Sequence, residues 1–199
     1  MKNAARIATS AHQQGVVLLI ALIVLVAMSL AGIAMIRSVD TSLGVAGNIA
    51  FKQSTLQGSD VGVRSAITWL SANATGTTLQ NTNLLNGYYS NLAGDPNWFD
   101  SANWGPGKAV QVNGGVADAA GNTVQYIIHR MCTTADSSSN GQSCALYIPT
   151  SGGSSGGSMS VGSFVFAGIP KVYYRITTRV DGPRGAVSIT QTSALLDAT

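Results

Sequence analysis

The chain has 199 residues, which is enough for one globular domain together with a membrane anchor. Only 10% of its residues are charged, against about a quarter in an ordinary soluble domain. Lys2 and Arg6 supply two of its three excess positive charges, and without residues 1–15 nine basic and eight acidic side chains remain. Clustered Lys and Arg, the electrostatic signature of a nucleic-acid-binding protein, are therefore lacking, and no nucleic acid is expected as a required partner.

The segment 16–36 is the first element, and only Ser29 and Gly32 within it are not strongly apolar. No charged residue occurs between Arg6 and Arg37. As an α-helix, these 21 residues would span about 31 Å, close to the ~30 Å hydrocarbon core of a bilayer. The pattern predicts a transmembrane helix.

The flank before this segment carries Lys2 and Arg6 and no acidic residue, so the positive-inside rule keeps it in the cytoplasm. The remainder of the chain is then expected outside. A cleaved secretory signal peptide is an alternative, with Gly32 and Ala34 as the small residues of its cleavage site. The apolar segment is longer than the usual h-region, and the helical pattern continues past Ala34, which favours an anchor.

The helix is predicted to continue through an amphipathic part, 37–72, because no proline precedes Pro96. Apolar residues recur every seventh position, which predicts one stripe that packs against a sheet or another helix; they are Ile49, Leu56, Val63 and Leu70, flanked by Ala46 and Ile67. Turn residues at 73–76 end the helix and begin the globular head, residues 73–199.

The first part of the head, residues 77–122, is rich in turn residues and in aromatic side chains. Such a cluster is expected to form a satellite core under a long loop, with a site for a sugar or a peptide as the alternative. Its members are Tyr88, Tyr89, Trp98, Phe99 and Trp104.

Strands are predicted at 123–131 and in a C-terminal hairpin, in which residues 172–180 alternate in polarity and 186–195 return after the turn 181–185. Residues 151–158, composed of Gly and Ser only, are predicted to be a flexible loop. The expected fold class is α+β, with the long helix packed on a small antiparallel sheet.

Cys132 and Cys144 are predicted to form a disulfide, because a close pair in an exported domain is typically oxidised. His129 is expected to be a strand residue that faces solvent or a polar neighbour, since no GxSxG motif accompanies it. Two cysteines and the one histidine that follows residue 15 are too few for a structural zinc site. We therefore predict no catalytic residues, no metal, no cofactor and no enzymatic activity.

The residues Gln13–Leu25 resemble the processing region of prepilins, as do Met35–Ser38 and Ala46–Phe51. More narrowly, the chain resembles the PilX-type minor pilins of bacterial type IV pili, and its last hairpin, with Tyr174–Thr177 and Asp181–Arg184, is similar to theirs. The resemblance covers the first 70 residues well and the last 30 moderately. It implies a pilin-like fold.

The resemblance further implies that prepilin peptidase cuts the leader 1–15 after Gly15 and that the new N-terminus, Val16, is methylated. Most pilins carry a glutamate five residues after the cut, where this chain has Ile20. That departure suits a subunit at the filament tip, in contact with the major pilin, other minor pilins and a tip-associated adhesin. The expected location is the inner membrane with the head in the periplasm, then the pilus tip. A minor pseudopilin of type II secretion and an anchored adhesin are the alternatives.

Overall fold

The computed structural model describes residues 14–92, 94–148 and 169–197. The leader up to residue 13 and the predicted loop 151–158 lie outside these ranges. The chain divides into two compact units, Met1–Ile49 and Ala50–Thr199, called here the N-terminal and C-terminal units. They are described separately.

The N-terminal unit consists, in its described part, of the first portion of helix α1, which runs from Gln14 to Ala72. The apolar side chains of this portion are all exposed. Its most apolar stretch has a mean hydropathy of 3.1, so α1 is long and apolar enough to cross a membrane. The Ser29 hydroxyl donates a hydrogen bond to the Leu25 carbonyl (2.8 Å), which satisfies the one hydroxyl of the apolar segment within the helix.

The C-terminal unit is built on one mixed sheet, whose strands among the described residues are β1 (Tyr88–Tyr89), β2 (Val110–Gln111), β3 (Thr123–Arg130), β4 (Leu146–Tyr147), β5 (Lys171–Asp181) and β6 (Val187–Asp197). β3 pairs antiparallel with β5, and β5 with β6, which gives the predicted hairpin. β2 also pairs antiparallel with β3, and β4 with β5.

The prediction of an antiparallel sheet is corrected at β1, which pairs with β3 in parallel, Tyr88 opposite Ile128 and Tyr89 opposite His129. A strand of two residues has no alternation to read, and its direction is set by the loop that delivers it. The fold is otherwise the expected α+β arrangement, because the last part of α1 packs on this sheet.

The packed face of α1 differs from the predicted stripe. Apart from one adjacent pair, the buried positions lie three or four residues apart, and they are mostly small: Thr55, Gly58, Ser59, Gly62, Ala66 and Leu70. Of the predicted stripe, only Leu70 is fully buried, whereas Leu56 remains 48% exposed. A seven-residue repeat drifts by about 20° per heptad around a straight helix. The face that meets the sheet was therefore marked by small residues rather than by the largest apolar ones.

The sheet is covered on both faces. On the helix face, the main core joins α1 to the strands through Ala66, Leu70, Tyr126, Ile128 and Ile176, among others. On the opposite face, called here the loop face, Ile127 packs with Trp104 and Ala109, and Tyr89 and Trp98 pack against them. Successive side chains of β3 point to opposite faces, so this one strand contributes to both cores.

Arg130, at the end of β3, is fully buried and connects several loops. Its guanidinium donates hydrogen bonds to the carbonyls of Ser90 (2.8 Å) and Leu79 (3.1 Å), and also to that of Ser137. Just beyond it, Cys132 and Cys144 form the predicted disulfide. The Arg130 guanidinium and the Cys132–Cys144 disulfide together attach the irregular segments to the sheet.

Candidate functional site

The aromatic loop, residues 95–104, packs on the loop face of the sheet through Trp98 and Trp104, and hydrogen bonds within the loop fix both indoles. The indole of Trp98 donates to Asp95 Oδ1 (2.8 Å), and the indole of Trp104 donates to the Trp98 carbonyl (2.8 Å). The two indole rings lie 5.7 Å apart and are tilted by 60°. The prediction of a satellite core beneath a long loop is confirmed for Trp104, which is buried against Ile127, and for Tyr89 and Trp98, which pack against them. It is wrong for Tyr88, which belongs to the main core, and for Phe99, which is 72% exposed.

His129 is the central residue of this face, and its environment differs from the prediction. Its ring stacks on Tyr89 (4.8 Å between centroids, 11° between planes) and meets Trp98 edge-on at 5.8 Å. Only 8% of the residue is exposed. The expectation of solvent exposure was wrong, because strand alternation cannot show that a distant loop covers the second face. The expected polar neighbour is present as Arg175, opposite His129 in the register of β3 and β5.

The imidazole of His129 is neutral at ordinary pH. Burial, reinforced by the nearby positive charge of Arg175, lowers its pKa from 6.5 to about 4, and Asp95 opposes the shift. Its Nδ1 atom is buried and has no hydrogen-bond partner among the residues that the structure describes. Unpartnered buried polar atoms are uncommon in native proteins, so this nitrogen needs an explanation.

Arg175, opposite His129 in the β3–β5 register, fixes the orientation of Trp98. Its guanidinium carbon lies 5.8 Å from the centroid of the Trp98 ring, and its Nη2 lies 3.1 Å from Asp95 Oδ1. Cation–π and ionic attraction therefore act on the same loop. Asp95 and Trp98 are restrained by each other and by Arg175.

A cavity of about 430 Å³ opens beside these residues. We call it the His129 cavity; it is lined by Tyr89, Asp95, Pro96, Trp98, Asn103, Lys108, Ile127 and His129. Its size falls within the range typical of small-ligand sites. Its walls combine aromatic and aliphatic surface with one carboxylate, one ammonium and one amide.

The sequence pointed to part of this cavity only. The aromatic residues are close together in the sequence and could be recognised as a cluster. Asp95, Asn103 and Lys108 belong to no sequence motif, and turns of the chain bring them together. In the described ranges 14–92, 94–148 and 169–197, no group of three His, Cys, Asp or Glu side chains is placed to hold a metal ion.

The residues of the predicted processing site lie at the start of α1. Gly15 and Val16 are both helical, and Val16 and Ile20 are exposed, at 61% and 54%. They belong to the N-terminal unit, whereas the residues that line the His129 cavity belong to the C-terminal unit. Comparison of the chain with protein-family models, with curated proteins and with solved structures gives no match.

Proposed function

We propose that this chain is a minor pilin that takes part in type IV pilus assembly and occupies the filament tip. The observation that carries the proposal is helix α1. One uninterrupted helix contains both a segment apolar enough to cross a membrane and, from Thr55 to Leu70, the face that packs on the sheet. A pilin-like subunit has this arrangement, in which the membrane anchor and the helix that packs in the exported domain are one element.

A secretory signal peptide accounts less well for this helix. Cleavage after Ala34 would cut within α1, where the backbone is helical on both sides. Cleavage after Gly15 by prepilin peptidase would leave nearly the whole helix intact, with Val16 as its methylated first residue. The inner membrane would then hold the anchor, with the C-terminal unit in the periplasm before assembly.

The exposed side of α1 in the C-terminal unit also supports an assembling subunit. Leu56, Val61 and Ile67 remain 41–48% exposed although the helix is packed on its other side. Apolar side chains that stay exposed on a helix already packed on its other side are suited to contacts with neighbouring helices. In a filament those neighbours would be the major pilin and other minor pilins.

Ile20 supports the tip position. A charge at this depth in a membrane or a helical bundle is costly unless it is paired. A subunit that lacks the usual glutamate cannot pair with the amine of a subunit above it, but it can offer its own Val16 amine to a subunit entering below. It would start a filament and stay at its distal end, beside any tip-associated adhesin, where it could influence adhesion or twitching motility.

The proposal is tested by the N-terminus of the mature protein and by its presence in filaments. Mass spectrometry of the membrane-extracted chain should give a methylated Val16, and Gly15→Val should leave the leader attached. A mature chain that begins at Met35 would instead show an ordinary secretory signal. Sheared pili should contain the chain in few copies; its presence only in pili-free secretion complexes would point to a type II pseudopilin.

The tip position has its own variant. Ile20→Glu restores the missing carboxylate, so the copy number per sheared filament should rise as the subunit enters the shaft. Ile20→Leu is the matched control, because it keeps the apolar character of the position. An unchanged copy number for Ile20→Glu, with normal expression and processing, would reject charge pairing as the cause of tip placement.

A further inference from the structure

We propose that the His129 cavity binds a neutral saccharide. This activity goes beyond filament assembly and does not rest on the pilin assignment. The first argument is that the site is formed in advance. Tyr89 and His129 are paired across β1 and β3, and Ile127 lies on the same face of β3. A ligand that enters would meet rigid strands rather than a loop that must first become ordered.

The loop wall is equally restrained. Trp98 is held by its hydrogen bond to Asp95, by the guanidinium of Arg175 and by contact with Trp104. Asn103 is fixed through its Nδ2, which donates to the Asn97 carbonyl (2.9 Å). Little side-chain entropy is therefore left to lose on binding, which favours recognition of a small ligand.

The second argument is the unpartnered nitrogen of His129. The residue is more than nine-tenths buried and lines the cavity, and its Nδ1 has no hydrogen-bond partner within the described part of the chain. A neutral imidazole offers one donor and one acceptor, and a hydroxyl group can meet either of them. A hydroxylated ligand would give this buried nitrogen the hydrogen-bond partner that the described residues do not supply.

The third argument is the remaining hydrogen-bonding capacity of the walls. Asp95 uses Oδ1 for Trp98, and its Oδ2 has no hydrogen bond to any residue the structure describes. The Lys108 ammonium donates once, to the Ala102 carbonyl (2.7 Å), and has three donors. Acceptors and donors thus stand beside apolar walls made by Tyr89 and Trp98. A sugar ring presents the same combination, with hydroxyls at its edge and C–H groups on its faces.

The fourth argument is the charge balance, which selects a neutral ligand. Asp95 carries one negative charge, whereas Lys108 and Arg175 carry positive charges nearby. An anionic ligand would approach the carboxylate of Asp95, and a cationic ligand would approach the ammonium of Lys108. A neutral polyhydroxyl ligand avoids both repulsions and can bond to groups of either sign.

The test uses the full chain in a polyoxyethylene detergent, whose headgroup is not a sugar. Saturation-transfer NMR is recorded with glucose, galactose, mannose and N-acetylglucosamine, followed by titration of the best binder against tryptophan fluorescence. We expect at least one neutral sugar to bind with a dissociation constant in the millimolar range. The acidic and amino derivatives, glucuronate and glucosamine, should bind more weakly than glucose.

Two variants locate the binding. Asp95→Asn removes the charge from an exposed carboxylate without changing its shape, and Trp98→Ala removes an aromatic wall; each should weaken binding by about tenfold or more. Phe99→Ala is the matched control, since Phe99 is 72% exposed beside Trp98 and does not line the cavity, and its affinity should be unchanged.

Several outcomes would overturn the proposal. These are binding of none of the four sugars, equal binding to Asp95→Asn and the parent chain, or tighter binding of glucuronate than of glucose. Fluorescence changes that appear only with a mixture of short peptides, and that Asp95→Asn abolishes, would assign the cavity to a peptide instead. Because the Asp95 variant changes no buried residue, a folding defect of the Trp98 variant would not obscure the result.

Discussion

Gly62 is the position at which the packing of α1 on the sheet can be tested most directly. A Cβ added there would lie 2.9 Å from Thr178 Cγ2 and 2.9 Å from Val124 Cγ1. Both methyl groups belong to β-branched residues that are themselves buried, so they cannot rotate freely out of the way. Gly62→Ala must therefore push the helix and the sheet apart.

Two opposing effects set the magnitude. Replacing a glycine within a helix by alanine gains up to ~1 kcal/mol in helix propensity. Overpacking a well-filled core costs about 1–3 kcal/mol. We expect a net loss of about 1 kcal/mol in the free energy of unfolding. Gly58→Ala is the graded control, because its added Cβ would lie no closer than 3.2 Å to Val180 Cγ1, and it should be nearly neutral.

The assay is urea unfolding of the full chain in mild detergent, followed by tryptophan fluorescence. All three tryptophans lie in the C-terminal unit, so the signal reports its unfolding alone. Val124→Ala removes one of the two opposing methyl groups. It should lower the free energy of unfolding less in the Gly62→Ala background than in the parent chain. A coupling of more than about 0.5 kcal/mol is expected for such neighbours. If Gly62→Ala instead stabilises the protein by ~1 kcal/mol, as propensity alone predicts, the close helix–sheet contact is refuted.

Three further predictions concern the C-terminal unit. His129 is protonated near pH 6.5 in the unfolded chain but only near 4 in the folded unit. The free energy of unfolding should therefore fall by up to about 3 kcal/mol as the pH drops through that window. Urea titrations of His129→Gln should show a flatter pH profile, and an unchanged profile would contradict the lowered pKa of His129. Replacing Cys132 and Cys144 by Ser opens a loop closed over a separation of 12 residues and should cost about 3 kcal/mol in the chain-entropy model, again measured in urea. Arg130→Met deprives the Ser90 carbonyl of its guanidinium donor and should cost about 1–3 kcal/mol; a midpoint equal to that of the parent chain would show that the buried charge does not stabilise the loops.

The elements that the sequence predicted are those whose signal is local. The apolar run 16–36 and the alternation in 172–180 are properties of consecutive residues, and the structure has a helix and a strand there. The disulfide could be predicted because Cys132 and Cys144 are near in sequence and have no competing cysteine. These inferences needed no knowledge of how distant segments meet.

Tertiary structure decided which faces are buried and what lies beside them. The helix presents small residues such as Gly62 to the sheet and leaves Leu56 exposed, because close approach of two backbones is decided by the partner surface and not by the apolar repeat. His129 is buried because a loop about 30 residues earlier in the chain covers the second face of β3. The charged and amide groups of the cavity come from positions without any shared motif. Alternation along a strand fixes only which side chains share a face, and long-range packing determines whether that face meets water, a core or a ligand.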